Sequence, residues 1–207
     1  MKMIHLTAAI LLSSTLTFAA DKKVDKKSAS KSKDMMISKD VSGEIKWTGF
    51  GIGKSHMGTI QLKTGTVEMK NENIIGGTFV FEMSTLNTAK FEGSEKLAGH
   101  LKSADFFAIE KYPTSTFKIT KVSPLKSGPN AFEITGDLTI KDKTNPITFN
   151  TVVVKEGDHM KATGTAEITD RTKYDIVYNS KQFSTVSKLG DKLIEDNIKI
   201  DINVMTK

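Results

Sequence analysis

Phe132-Glu-Ile134-Thr-Gly136-Asp-Leu138-Thr-Ile140 reads as a strand with two unlike faces. Phe132, Ile134, Leu138 and Ile140 fall on one side, interrupted by Gly136, while Glu133, Thr135, Asp137 and Thr139 fall on the other. A period of two sends alternate side chains to opposite faces of a pleated strand, so one face expects burial and the other water. The same alternation recurs at Ile45/Trp47, Ile60/Leu62, Val67/Met69, Phe79/Phe81/Met83, Phe117/Ile119, Ile147/Phe149, Met160/Ala162/Ala166/Ile168 and Ile198/Ile200/Ile202/Val204. Turn signals separate the runs: Asn71-Glu-Asn73, Ser127-Gly-Pro-Asn130, Lys141-Asp-Lys-Thr-Asn-Pro146 and Glu156-Gly-Asp158. Many short alternating strands predict an all-β fold, either an antiparallel sandwich or a closed barrel. Closure removes sheet edges, and about eight strands enclose an interior wide enough for one ligand.

Some stretches depart from the simple alternation. Val152-Val153-Val154 is apolar on both faces, which predicts a sheet region covered outside as well as inside. Asp196 is in step with the apolar face of the last strand, near its start, and is expected at a rim where water reaches the carboxylate. Ser94-Glu-Lys-Leu97-Ala-Gly-His100-Leu101 puts Leu97 and Leu101 four apart on one helical face, with Ser94 as N-cap and Glu95 in the first turn. The irregular stretch from Asp170 to Gly190, rich in polar and aromatic groups, has the length of a recognition loop on a β scaffold.

The chain has 207 residues, 38% of them hydrophobic, which suits one folded domain with appendages. Residues 1–19 read as a secretory signal peptide: Lys2, a short apolar run from Leu6 to Leu12, and Thr17-Phe18-Ala19 before the expected cut. The apolar run is too short to span a bilayer, and no later run is long enough, so no transmembrane segment is expected. Residues 20–34 contain a single large aliphatic residue, Val24, and read as a flexible Lys/Ser-rich tail. The net charge is +6, but the tail holds +3 of it and Lys2 another, leaving +2 for the expected domain at residues 35–207. The basic balance therefore does not argue for nucleic acid, and no basic groove with interleaved aromatics is visible. Export implies the periplasm in a Gram-negative cell and secretion elsewhere.

Catalysis finds little support, and no enzyme is expected. Cysteine is absent, which removes disulfides, thiolate nucleophiles, cysteine metal sites and a bacterial lipid anchor. His5 falls in the signal segment; His56, His100 and His159 lie far apart, without the spacing of a metal motif. Gly49-Phe-Gly51-Ile-Gly53 lacks the strand–turn–helix setting of a nucleotide site. No Ser–His–Asp order and no EF-hand spacing can be traced.

The run Leu97-Ala-Gly-His-Leu-Lys-Ser-Ala-Asp-Phe-Phe-Ala-Ile-Glu-Lys-Tyr-Pro-Thr-Ser-Thr-Phe117 resembles the signature of the YceI family. So do Gly136-Asp-Leu-Thr-Ile-Lys-Asp-Lys-Thr-Asn-Pro-Ile-Thr-Phe149 and Asp170-Arg-Thr-Lys-Tyr-Asp-Ile176, together with Trp47-Thr-Gly and the strand from Gly76 to Met83. The likeness covers roughly Ser38 to Thr206. It departs at Asp142-Lys143, where many members have glycine and a small or β-branched residue. The resemblance implies an exported, lipocalin-like antiparallel barrel of about eight strands with a short helix near its opening. It also implies a long-chain amphiphilic lipid in the lumen: a polyisoprenoid, an isoprenoid quinone or a fatty-acid derivative. No other cofactor and no metal is implied, and association into a homodimer is left open.

On this reading the lumen is lined by Phe79, Phe81, Phe117, Ile119, Phe132, Ile134, Leu138 and Phe149, with Leu97, Leu101, Phe106 and Phe107 near the opening. Singly, each suits a filled core as well, and the alternative is a ligand-free filled barrel acting as an interaction or envelope-stress module. Arg171, Tyr174 and Asn179 are candidates to hold a polar head group, Tyr178 beside them. For Arg171 the favoured reading is a structural clamp between Asp170, Asp175 and loop carbonyls. His100 reads as a capping or packing histidine and Trp47 as core at the wall.

Overall fold

The computed structural model describes residues 36–71, 73–90 and 93–207. The expected signal peptide, 1–19, and the expected tail, 20–34, lie outside the described residues. Eight strands follow one another: β1 (Met36–Gly51), β2 (Lys54–Lys70), β3 (Asn73–Glu82), β4 (Thr114–Pro124), β5 (Ala131–Ile140), β6 (Lys143–Glu156), β7 (His159–Ile168) and β8 (Ile194–Thr206). Each pairs antiparallel with the next, and β8 returns to β1 from Val41↔Thr206 to Gly51↔Ile194, closing the barrel. Closure decides between the two architectures that alternation left open.

Two long connections lie at the same end, because β3 and β7 both run towards it. Residues 83–113 carry α1 (Ser94–Lys102), and residues 169–193 carry the 3-10 helix Arg171–Tyr174 and the short helix α2 (Val186–Leu189). Leu97 and Leu101 share the inner face of α1 as their spacing predicts. Ser94 is the first helical residue rather than the N-cap; Gly93 takes that place at φ 81°, a conformation that disfavours a side chain.

Two bulges preserve the inward phase where the sequence changes step. The β2–β3 register shifts between Leu62 and Thr64, so Ile60/Leu62 and Val67/Met69 belong to one strand although their parity differs. The β4–β5 register shifts between Ile119 and Lys121, which turns Val122 inward after Phe117 and Ile119. An extra residue on one strand is what moves its alternation to the opposite parity.

The β5–β6 turn is tighter than its sequence suggests. It needs only Lys141 and Asp142, both left-handed at φ 49° and 59°, the geometry of a two-residue hairpin turn. Lys143 to Pro146 already belong to β6. Pro146 is tolerated because β6 pairs with β7 only from Asn150 onward, leaving the Pro146 level without a second strand neighbour. Val152 and Val154 stand exposed on the outer surface while Val153 is buried, so no outer cover lies over them among the described residues. β-branched residues there suit the strand itself.

Gly136, the gap in the apolar face of β5, is where the Phe117 ring crosses. A Cβ at 136 would land on that ring and within 2.6 Å of the Lys118 carbonyl oxygen. The ring has empty space to swing into, but the carbonyl belongs to the paired strand and cannot give. Gly136→Ala is therefore expected to destabilise the barrel by about 1 to 3 kcal/mol, read as a lower urea midpoint with an unchanged slope.

Candidate functional site: an apolar cavity inside the barrel

The inward faces do not fill the interior. They enclose a cavity of about 460 Å³ that runs from Val41, Val67 and Val204 at the floor to Phe50, Leu97 and Leu193 at the mouth. One wall comes from β3 to β6. Phe79, Phe117 and Phe149 succeed one another there, with ring centroids 6.3 Å and 5.6 Å apart. Ile198, Ile200 and Ile202 of β8, with Ile45 and Trp47 of β1, form the other. The polar side chains of the wall are turned to protein partners. The Ser115 hydroxyl donates to Met83 Sδ at 3.3 Å, and the Thr151 hydroxyl donates to the Thr163 carbonyl at 2.9 Å. What the cavity presents is accordingly hydrocarbon and aromatic surface.

The mouth is built by the two long connections. Residues 86–89 run alongside β2: the Asn87 amide donates to the Thr59 carbonyl, and the Ala89 amide to the Met57 carbonyl. The Asn87 carbonyl takes the space where Gly58 lacks a side chain, and there it accepts a hydrogen bond from the Trp47 indole at 3.2 Å. Across the opening, α1 meets the other loop through His100. Its ring stands edge-on to Tyr178 and to Phe106, at 4.7 Å and 5.1 Å, and Nε2 contacts an Asp105 carboxylate oxygen at 3.1 Å.

Arg171 ties the second loop together. Nε donates to the Glu195 carbonyl, Nη1 to Ile176, and Nη2 to Tyr178 and Ile194, at 2.7 to 3.3 Å. The guanidinium is 2% exposed. Burial draws its pKa down, opposed by the carboxylates of Asp196 and Asp170. Asp196 Oδ1 lies 3.6 Å from Nη2 and has no hydrogen bond; Oδ2 accepts one from the Gln182 amide. Asp196 is 3% exposed, which corrects the expected rim position open to water. The loop folds back over this end of β8 and covers it.

Of the candidates from sequence, all but Phe132 and Tyr174 border the cavity. Phe132 keeps its inward phase but packs into the surrounding apolar cluster at the start of β5, opposite Pro124. Tyr174 is buried in the same cluster, because positions three apart in a 3-10 helix lie on one side and Arg171 and Tyr174 point inward together. Burial pushes its phenol up to about 12. Arg171 borders the cavity, yet its donors are engaged by loop carbonyls, which is the clamp rather than a free fork. Asn179 donates its amide to the Lys192 carbonyl at 3.0 Å. The β8 isoleucines were missed as site residues although their alternation was visible. Lys54, His56 and Lys192 at the mouth carry no sequence signal, since only register and loop path bring them there. Among the described residues, no group of three or more His, Asp or Glu could hold a metal ion.

Residues 14–206 match the YceI-like domain. The chain belongs to the YceI family. It is 35% identical over 92 residues to Protein YceI of Escherichia coli O157:H7, a match covering 40% of this chain and 47% of that protein. The chain thus spans about half the length of the curated YceI relatives it matches. Two solved structures share the fold. BcnA of Burkholderia cenocepacia superposes with a TM-score of 0.64 at 16% identity, over 81% of this chain and 96% of that one. A polyisoprenoid binding domain from Saccharophagus degradans, implicated in plant cell wall breakdown, does so with a TM-score of 0.57 at 10% identity, over 83% and 99%. The family is therefore shown by the sequence, and the barrel fold is shared by both superposed structures.

Two outcomes follow for the buried cluster. Arg171→Gln leaves Asp196 charged and four carbonyls short of donors, so the ligand-free protein is expected to lose about 3 to 5 kcal/mol in chemical denaturation. A substitution that spared apo stability and weakened only ligand retention would return Arg171 to the head-group role. For Asp170, burial raises the pKa, but hydrogen bonds from the Thr172 hydroxyl and amide and from Gln182 outweigh it and hold the carboxyl below its ordinary value. Its stabilising contribution is thus complete above the unfolded value of about 3.9 and is lost as pH falls through the lower folded value. Asp170→Asn is expected to flatten the acid limb of a plot of urea midpoint against pH.

Proposed function

We propose that this barrel carries or sequesters a long-chain amphiphile in its cavity: a polyisoprenoid, an isoprenoid quinone or a fatty-acid derivative. The single observation behind this is the continuous, unfilled apolar cavity of about 460 Å³, within the size range of small-molecule sites. An extended hydrocarbon chain needs a deep slot with few polar anchors, since each buried CH₂ contributes about 0.8 kcal/mol before ordering costs. The polyisoprenoid-binding description of the Saccharophagus degradans domain adds support through its shared fold. A filled interaction module would have no use for such a space. The proposal includes export directed by residues 1–19, residence in the periplasm and binding without covalent chemistry.

Native mass spectrometry of protein purified from its own cell, followed by lipid extraction, tests the reading. A co-purifying long-chain amphiphile is the expected result, and repeatedly empty protein would favour the filled module. Phe117→Ala gives an independent check. In a solid core the truncation costs about 3 to 5 kcal/mol. Beside a cavity the ligand-free protein is expected to lose distinctly less, and the lipid-loaded protein more, because ligand binding is linked to folding. Equal large losses in both states would sink the carrier.

A further inference from the structure

The loop that walls the mouth also carries apolar side chains outward. Phe183 is 67% exposed and Val186 is 60% exposed, the largest exposures of hydrophobic side chains at this end among the described residues. Ile52, at the tip of the β1–β2 turn, is 43% exposed, and the Gly51↔Ile194 pair sets that turn beside the loop's return into β8. These side chains are not simply unanchored. Ser180 on one side is fully buried and pairs with Ile194; Leu193 on the other is buried in the mouth. Gln182, next to Phe183, donates hydrogen bonds to both Asp170 and Asp196. The loop is fastened at its feet and presents Phe183 and Val186 at its crest.

The charge around the crest is uneven. Lys54, Lys181, Lys188 and Lys192 stand exposed there, against the carboxylates of Asp191, Glu195 and, beside Gln182, Asp170. Glu195 is engaged by Lys181 at 2.8 Å. Apolar side chains ringed by excess lysine fit the boundary of an anionic bilayer: the rings enter the acyl region while the ammonium groups remain among the head groups. A protein partner would call for a broader apolar patch, with shape of its own, than three side chains supply. Lys192 and Leu193 border the cavity from the same loop, so a surface gripped by the crest faces the opening.

We infer that Phe183, Val186 and Ile52, with the surrounding lysines, dock the mouth of the barrel onto an anionic lipid bilayer. This rests on the carrier reading for its use, since a docked mouth lets a lipid pass between bilayer and cavity without exposing its chain to water. The test does not depend on that reading.

The chain has no cysteine, so Phe183→Cys and, at the opposite end, Ser127→Cys can each be labelled singly with an environment-sensitive fluorophore. The full-length protein is mixed with vesicles of equimolar phosphatidylcholine and phosphatidylglycerol. The expected result is a blue-shifted, brighter label at 183 that bilayer-embedded spin-labelled lipids quench, with no response at 127. Unlabelled Phe183→Ser/Val186→Ser protein is expected to partition about tenfold less onto the same vesicles. No response at 183, an equal response at 127, or unimpaired partitioning of the double variant would each overturn the inference; the last two would assign adhesion to charge elsewhere. Lipid extraction from the same preparation separates the two claims. Empty protein that still docks through 183 removes the carrier and keeps the docking surface, and loaded protein that fails to dock does the reverse.

Discussion

The ladder between β1 and β8 is the interaction on which the rest depends. It runs from Val41↔Thr206 to Gly51↔Ile194 and gives every strand of the sheet a partner on each side along part of its length. In an open sandwich, the two inner faces must meet and fill the space between them. In a closed ring, every strand is held by two neighbours through backbone hydrogen bonds, and the wall stands without material at its centre. That is why apolar faces as bulky as those of Phe79, Phe117 and Phe149 surround a space instead of collapsing into it. The bulges at Leu62/Thr64 and Ile119/Lys121 serve the same end, keeping apolar side chains inward along strands whose alternation changes parity.

The mouth is organised by a different force. Residues 169–193 supply no long strand or helix of their own, so their backbone carbonyls need partners from elsewhere. The Arg171 guanidinium provides them, joining the loop at Ile176 and Tyr178 to the start of β8 at Ile194 and Glu195. A delocalised, flat cation with five donors in a fixed fork can hold these four carbonyls at once, more than the three donors of a lysine could. Asp196 supplies the opposite charge at 3.6 Å and Gln182 bridges it to Asp170. The two tasks of this loop, bordering the cavity with Tyr178 and Leu193 and lifting Phe183 outward, both follow from that anchoring.

The sequence by itself determined the strand content, the inward faces and the helix at the opening. Each rests on local periodicity: two for Phe132 to Ile140, four for Leu97 and Leu101. The recurring motifs around Leu97–Phe117, Gly136–Phe149 and Asp170–Ile176 added the family. Only the tertiary structure decided the remainder, because it depends on which strands meet. Closure is a pairing between residues far apart in the chain. So is the choice between a filled and an open interior, which turns on the summed volume of side chains from every strand rather than on any one of them. Phe132 and Phe149 share the same alternation, yet only Phe149 reaches the cavity. Asp196 looks like a rim residue until the loop folds over it, and which carbonyls the Arg171 clamp takes is settled only when the loop and the start of β8 are brought together. Periodicity states which face a side chain takes; what it meets there is set by register, bulges and the path of loops, which are properties of the closed chain.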